Sequence, residues 1–168
     1  MARFTHPGIN DDSGNGNVLS NLHYGSFYST QNQSLAKDAI GAVTLNNTDF
    51  NNGVSVVSNS RITIANAGKY NIAFSAQLHN NGGGGSGTTA NIWLAKNGTA
   101  IADTNTRVSV NTNSPYVVAA WNFFVNASAN DYYELMWSPD NTQIQMDYQV
   151  AGSHPAIPSV ILTVNQIG

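Results

Sequence analysis

Hydrolysis by a Ser–His–Asp triad or by paired carboxylates needs those side chains within hydrogen-bond reach of one another. This chain contains the residue types without the spacing. Its four histidines, His6, His23, His79 and His154, lie far apart, and none has the three- or four-residue separation that sets two metal ligands on one helix face. They read as surface or turn residues. Asp131, Glu134, Asp140 and Asp147 could supply the acid and base of a glycoside hydrolase. However, Asn130-Asp131 reads better as a turn ahead of a strand. Nothing in the sequence forbids a triad assembled in space, but no local signature supports one. The run NNGGGGSG, Asn80 to Gly87, lacks the Lys and Ser/Thr that a phosphate loop places before a helix, so it reads as a flexible loop. In DDSGNGN, Asp11, Ser13, Asn15 and Gly16 fall at positions one, three, five and six of a calcium loop, yet the twelfth position is Leu22, where a bidentate Glu is required. No catalytic residue, cofactor or metal ligand is assigned, and the chain is expected not to be an enzyme.

The elements available to position any site follow from composition. A chain of 168 residues suits one domain and could bury roughly 70% of its unfolded surface. Only 9% of residues are charged while 41% are hydrophobic, against about 25% charged in an ordinary globular domain. Asn, Ser, Thr and Gln take the place of charge, as they do where surface is destined to lie against protein. A net charge of −3 with six scattered Lys and Arg leaves no basic patch, so no nucleic-acid partner is expected. Without cysteine the fold must hold by packing alone. The stretch MARFTHPGINDDSGNGN has no apolar run of secretion-signal length, and no later segment has the length of a membrane span. Synthesis in a cytoplasm, with no membrane partner, is the expectation.

Residues 1–22 are polar, Gly- and Asn-rich and aperiodic, which predicts an extended arm ahead of a head domain over 23–168. From His23 onward the pattern is β throughout. The candidate strands are Tyr24–Gln31, Ala42–Leu45, Arg61–Ala65, Tyr70–Leu78, Ala90–Lys96, Ala100–Asp103, Val108–Val110, Tyr116–Val125, Tyr132–Trp137, Ile144–Val150 and Val160–Gln166. Eight to ten strands predict a two-sheet antiparallel sandwich rather than a small barrel. In AKNGTA, Asn97-Gly98 predicts a type I′ hairpin. QIQMDYQV alternates, with Ile144, Met146, Tyr148 and Val150 facing in and Gln145, Asp147 and Gln149 facing out. YVVAAWNFFV does not behave this way: Tyr116, Val118, Ala120 and Phe124 lie on one face, and Val117, Ala119, Trp121, Phe123 and Val125 on the other. Both faces are apolar, so the second must be covered by a loop or another subunit.

Several segments in this order resemble the tumour necrosis factor and complement globular-head superfamily. SRITIANAGKYNIAFSAQL is similar to its strand, turn and aromatic-led core strand; IWLAKNGTAI to its Asn-Gly hairpin; FFVNASANDYYELMW to its strand, Asp-ending turn and return strand; and SVILTVNQI to its closing strand. AVTLNNTDFNNGVSVV also fits in order and spacing. The turn before Tyr70 departs from the pattern, with Ala67-Gly68 where Pro-Gly is common. More narrowly, YGSFYSTQNQ, YVVAAWNF, YYELMWSPD and PAIPSVILTV resemble small structural proteins of tailed bacteriophages, cyanophages among them, that carry such a head. The resemblance implies a jelly roll assembled as a homotrimer with aromatic residues of facing sheets along the threefold axis.

These implications join the composition argument in one expectation. Phe27, Tyr28, Trp121, Phe123 and Trp137 contribute to a trimer interface or to the core just beneath it. The chain is then a virion structural protein on the outer surface of a phage particle, a capsid decoration (cement) trimer. Its partners are itself and the major capsid protein or another virion protein, the latter through Arg3, Phe4, His6 and Pro7 of the arm. The alternative is a tail-fibre tip or receptor-binding module for host-surface glycan, with Tyr and Trp stacking on sugars and the Gly82–Gly87 loop presenting the site.

Overall fold

Alternation at a period of two, where one face of a strand meets a core and the other does not, organises the molecule. The computed structural model describes residues 22–82, 88–112 and 116–168. The strands are β1 (Tyr24–Ser29), β2 (Gln33–Ser34), β3 (Gly41–Ala42), β4 (Asn47–Asn52), β5 (Val54–Val57), β6 (Arg61–Ile64) and β7 (Gly68–Asn80). They continue as β8 (Thr89–Lys96), β9 (Thr99–Ala100), β10 (Thr106–Ser109), β11 (Val117–Ala127), β12 (Tyr132–Pro139), β13 (Ile144–Met146) and β14 (Val160–Gln166). Among the described residues there is no helix, and so none long and apolar enough to cross a membrane.

All pairings between these strands are antiparallel, in two sheets. The first sheet is built around β7. Along one edge of β7 runs β11, with Val117 opposite Leu78 and Ala127 opposite Gly68. Along the other runs β14 from Tyr70 to Ala76, and then β13 from Leu78 to Asn80. Beyond β14 come β1 and β4, and beyond β13 comes β2, so β11 is one outer edge and β4 and β2 form the other. The second sheet has the order β10, β8, β12, β6, β5, with β9 beside β8 and β3 beside β12.

The inner faces interlock. Phe27, Tyr70, Ile72, Phe74, Ala76, Leu78, Leu162 and Val164 of the first sheet, and Ile62, Ile64, Ile92, Leu94, Tyr133, Leu135 and Trp137 of the second, are all at most 5% exposed. This is the buried slab that a cysteine-free chain must build. Among the polar groups it holds, Gln33 is well satisfied. The Gln33 side chain accepts from the Thr44 N–H at 2.7 Å and donates to the Thr44 carbonyl at 3.0 Å, replacing a strand ladder with one amide.

The expected Asn97-Gly98 hairpin forms between β8 and β9, with φ of 50° and 81° at its two residues. Several expectations differ from the structure. Ile144–Val150 is a strand only to Met146; Asp147 is buried where an exposed side chain is expected, and Val150 is 75% exposed where a buried one is expected. The reason is local. The Asp147 N–H turns to the Gln77 carbonyl at 2.8 Å, and its carboxylate accepts hydrogen bonds from the Gln145 and Gln149 amides. Ala100–Asp103 pairs only over Thr99–Ala100, and Ala42–Leu45 only at Gly41–Ala42, although Val43 and Leu45 are buried as the pattern requires. β4 and β5 are additional strands. They meet at Gly53, whose φ is 66° and where a Cβ would lie 2.0 Å from the His23 ring.

Candidate assembly face

The outward side of the first sheet is the most unusual surface of the molecule. Pairing register sets its rows: Ala120, Ser75, Ile161 and Tyr28 lie side by side, and so do Asn122, Ala73, Thr163 and Ser26. The outward residues of β11, β7 and β14 from Val118 to Phe124, Asn71 to Gln77 and Ile161 to Asn165 include no charge. Phe124 is 70% exposed, Val118 60% and Ile161 42%. The small residues Ala73 and Ser75, with Thr163 and Ile161, leave a hollow of about 240 Å³, and a second of about 260 Å³ lies beside Phe124. Knobs and hollows on one largely neutral face, with Lys69 lining the second hollow, are the raw material of a packed interface. Its polar side chains are partly satisfied within the face. Asn122 donates to Asn71 at 2.8 Å, and Asn71 to Asn165 at 3.2 Å.

The edge of this sheet adds a second demand. β11 pairs with β7 on one side, and no described strand lies on its other side. It is 11 residues long and carries no charge or proline, the devices by which sheet edges usually discourage pairing. Trp121 and Phe123 are half-buried on the inward side of this strand. The Trp121 ring meets Phe74 edge-on with centroids 4.6 Å apart, and Phe123 stacks on Phe74 at 6.2 Å. The Trp121 indole N–H is buried and has no hydrogen-bond partner among the described residues. An orphan of this kind costs about 1–3 kcal/mol until something supplies an acceptor.

Of the five aromatic residues expected at or beneath an interface, Trp121 and Phe123 come together at this edge. Tyr28 points outward and is half-buried, and Phe27 is fully buried beneath the same sheet. Trp137 is 1% exposed on the inner face of the opposite sheet. Arg3, Phe4, His6 and Pro7, the Asp11–Gly16 segment and most of the Gly82–Gly87 loop lie outside the described residues. Phe50 is an exposed aromatic of this face that strand reading misses. It packs edge-on against Tyr24 at 6.0 Å, and only its pairing on β4 puts it there.

The candidate catalytic groups do not converge. His79 packs on Tyr116 at 4.4 Å, His23 sits against Gly53, and His154 is exposed. Among the described residues no group of three His, Cys, Asp or Glu could hold a metal. Each of the four candidate carboxylates, Asp131, Glu134, Asp140 and Asp147, is occupied by local structure. Asp140 binds the Thr89 N–H and hydroxyl at 2.9 and 2.7 Å, and Glu134 accepts from Ser60 at 2.7 Å with Arg61 at 3.9 Å. Asp131 lies 2.7 Å from the Lys96 ammonium and also accepts from Asn97 at 2.8 Å and the Ser128 N–H at 2.7 Å. The Lys96 hydrogen bond, then that of Asn97, holds the Asp131 carboxyl at about 2, well below the usual carboxylate range. Burial, and then the Asp147 charge, push the Tyr116 hydroxyl up.

No family model matches the chain, and no curated protein matches it in sequence. Among solved structures it is similar to murine APRIL crystallised at pH 8.0, with a TM-score of 0.59 and 9% identity over 87% of this chain and 99% of that one. Murine APRIL at pH 5.0 gives a TM-score of 0.57 with the same identity and coverage. The likeness is one of fold: two antiparallel sheets in a tumour-necrosis-factor-like jelly roll.

Proposed function

We propose that the chain is a structural protein of a bacteriophage particle, a homotrimeric decoration protein that binds and reinforces the capsid shell. The observation that carries self-association is the uncharged patch on the outer face of β11, β7 and β14, with Val118, Phe124 and Ile161 exposed beside the bare edge of β11. Permanent interfaces resemble a core cut in half, and a closed ring of identical subunits covers edge and face together. The phage setting is taken from the resemblance of YGSFYSTQNQ, YVVAAWNF, YYELMWSPD and PAIPSVILTV to small virion proteins. The role needs no chemical step, in keeping with the engagement of Asp131, Glu134, Asp140 and Asp147 in local structure. Reinforcement comes from bridging neighbouring shell subunits, because whatever binds only the assembled state stabilises it. Arg3, Phe4, His6 and Pro7 are assigned to the shell contact.

Sedimentation at micromolar concentration should give three times the 17.8 kDa chain mass; a stable single chain would overturn the assembly. Removing residues 2–20 should leave the trimer intact and abolish binding to heads, and binding that survives would remove the role of this segment. Electron microscopy of purified particles should find the protein in many copies on the head. A few copies at the tail would place it there instead.

A further inference from the structure

The second sheet carries a groove of about 520 Å³ on its outward face. Its floor is formed by β8 and β12, where Asn91 stands opposite Ser138 and Trp93 opposite Met136. Asp38 and Ile40 form one wall, and the segment 101–107 forms the other. Both walls are fixed by hydrogen bonds. The Asp38 N–H donates to the Pro139 carbonyl at 2.8 Å, the Ile101 N–H to Leu94 at 2.9 Å, and the Thr104 hydroxyl to the Ile101 carbonyl at 2.8 Å. A groove held open in this way loses little entropy when it is filled. Its volume falls within the roughly 300–1,000 Å³ usual for small-ligand sites.

The groups lining it are chemically uncommitted. Among the described residues, the carboxylates of Asp38 and Asp103, the Arg107 guanidinium and the Trp93 indole N–H have no side-chain hydrogen bond or ion pair. This sets them apart from Asp131, Glu134, Asp140 and Asp147, which are all engaged. Asn105 donates to Asn91 at 3.3 Å, which leaves the Asn91 amide hydrogens and the Asn105 carbonyl oxygen open.

We propose that this groove binds a neutral saccharide, with a sugar ring on Trp93 and its hydroxyls held by Asn91, Arg107, Asp38 and Asp103. The match is chemical. An indole face takes the C–H side of a pyranose, while carboxylates that only accept and a guanidinium that only donates hold the two ends of vicinal hydroxyls. Two carboxylates against one guanidinium disfavour a phosphate or sulfate group. The inference goes beyond the decoration role and does not require it. In the proposed trimer the first sheet is covered, so the groove on the opposite sheet stays open. Three copies would then convert weak single-site binding into avidity for a polysaccharide surface.

The test uses the full-length protein with a panel of neutral mono- and disaccharides, followed by saturation-transfer NMR and tryptophan fluorescence, and with an array of immobilised glycans. At least one neutral saccharide should bind saturably, and Trp93→Ala should weaken it by about tenfold or more. Arg107→Gln and Asp103→Asn, at exposed positions, should weaken it with no change in sedimentation or melting. These two carry the test if Trp93→Ala fails to fold. No saturable binding anywhere in the panel or array would overturn the site, as would binding untouched by all three variants. Capture of sulfated polyanions alone, lost in Arg107→Gln, would also overturn it by marking an anion site. None of these results bears on trimer mass or head binding, which decide the decoration role separately.

Discussion

Asp131 shows how one residue can hold two turns. Its carboxylate joins the β8–β9 hairpin, through Lys96 and Asn97, to the turn entering β12, through the Ser128 N–H. Asp131→Asn should therefore destabilise the protein by about 1–3 kcal/mol at pH 7. Because the folded carboxyl is held at about 2, below the unfolded value of about 3.9, this contribution is complete above pH 5 and fades as pH falls toward 2. Urea unfolding at fixed protein concentration should show wild type and variant converging at low pH. A constant difference from pH 7 to pH 2 would show that charge is not what Asp131 contributes. This clamp was not legible in the sequence, where Asn130-Asp131 reads correctly as a turn but Lys96 and Asn97 are too distant to be connected with it. The saccharide groove was hidden for the same reason: Asp38, Trp93 and Arg107 come together only once β3, β8 and β10 are in place.

At the scale of elements, strands with strong alternation could be read almost to the residue. β7, β8, β12 and β14 are the long core strands, and the residues on their inward face are the buried ones, while Ile161 of β14 faces outward. β4 escaped because NTDFNN has no period; it is an edge strand held by pairing with β1, with nearly every residue exposed. β13 ended early because a buried carboxylate, which no alternation rule anticipates, turns the chain. For β11 the two-faced apolar pattern pointed to covered surface, and the structure assigns the faces: Trp121 and Phe123 inward, Val118 and Phe124 outward. This split yields a prediction. Phe124→Asp should reduce the sedimenting mass to that of one chain while the β-sheet circular dichroism signal persists, whereas Trp121→Asp should also lower the melting temperature by disturbing the contact with Phe74. An intact trimer with native melting in Phe124→Asp would remove the outer face of β11 from the interface.

For the whole molecule, the two sheets divide the work in the proposed reading. The first offers an uncharged patch for copies of the chain, and the second keeps its charges and its groove toward the surroundings. Topology adds a kinetic consequence. β14 lies between β1 and β7 in the sheet, yet it follows every other described strand in sequence. While a ribosome is still making residues 160–166, the first sheet has a gap at its centre and two raw edges facing it. Compaction must therefore wait until synthesis has passed this point, and it then requires contacts of long sequence separation, which form slowly. Nascent chains crowded on one message would be open to trapping one another through those edges, so yield should rise at lower temperature and slower expression.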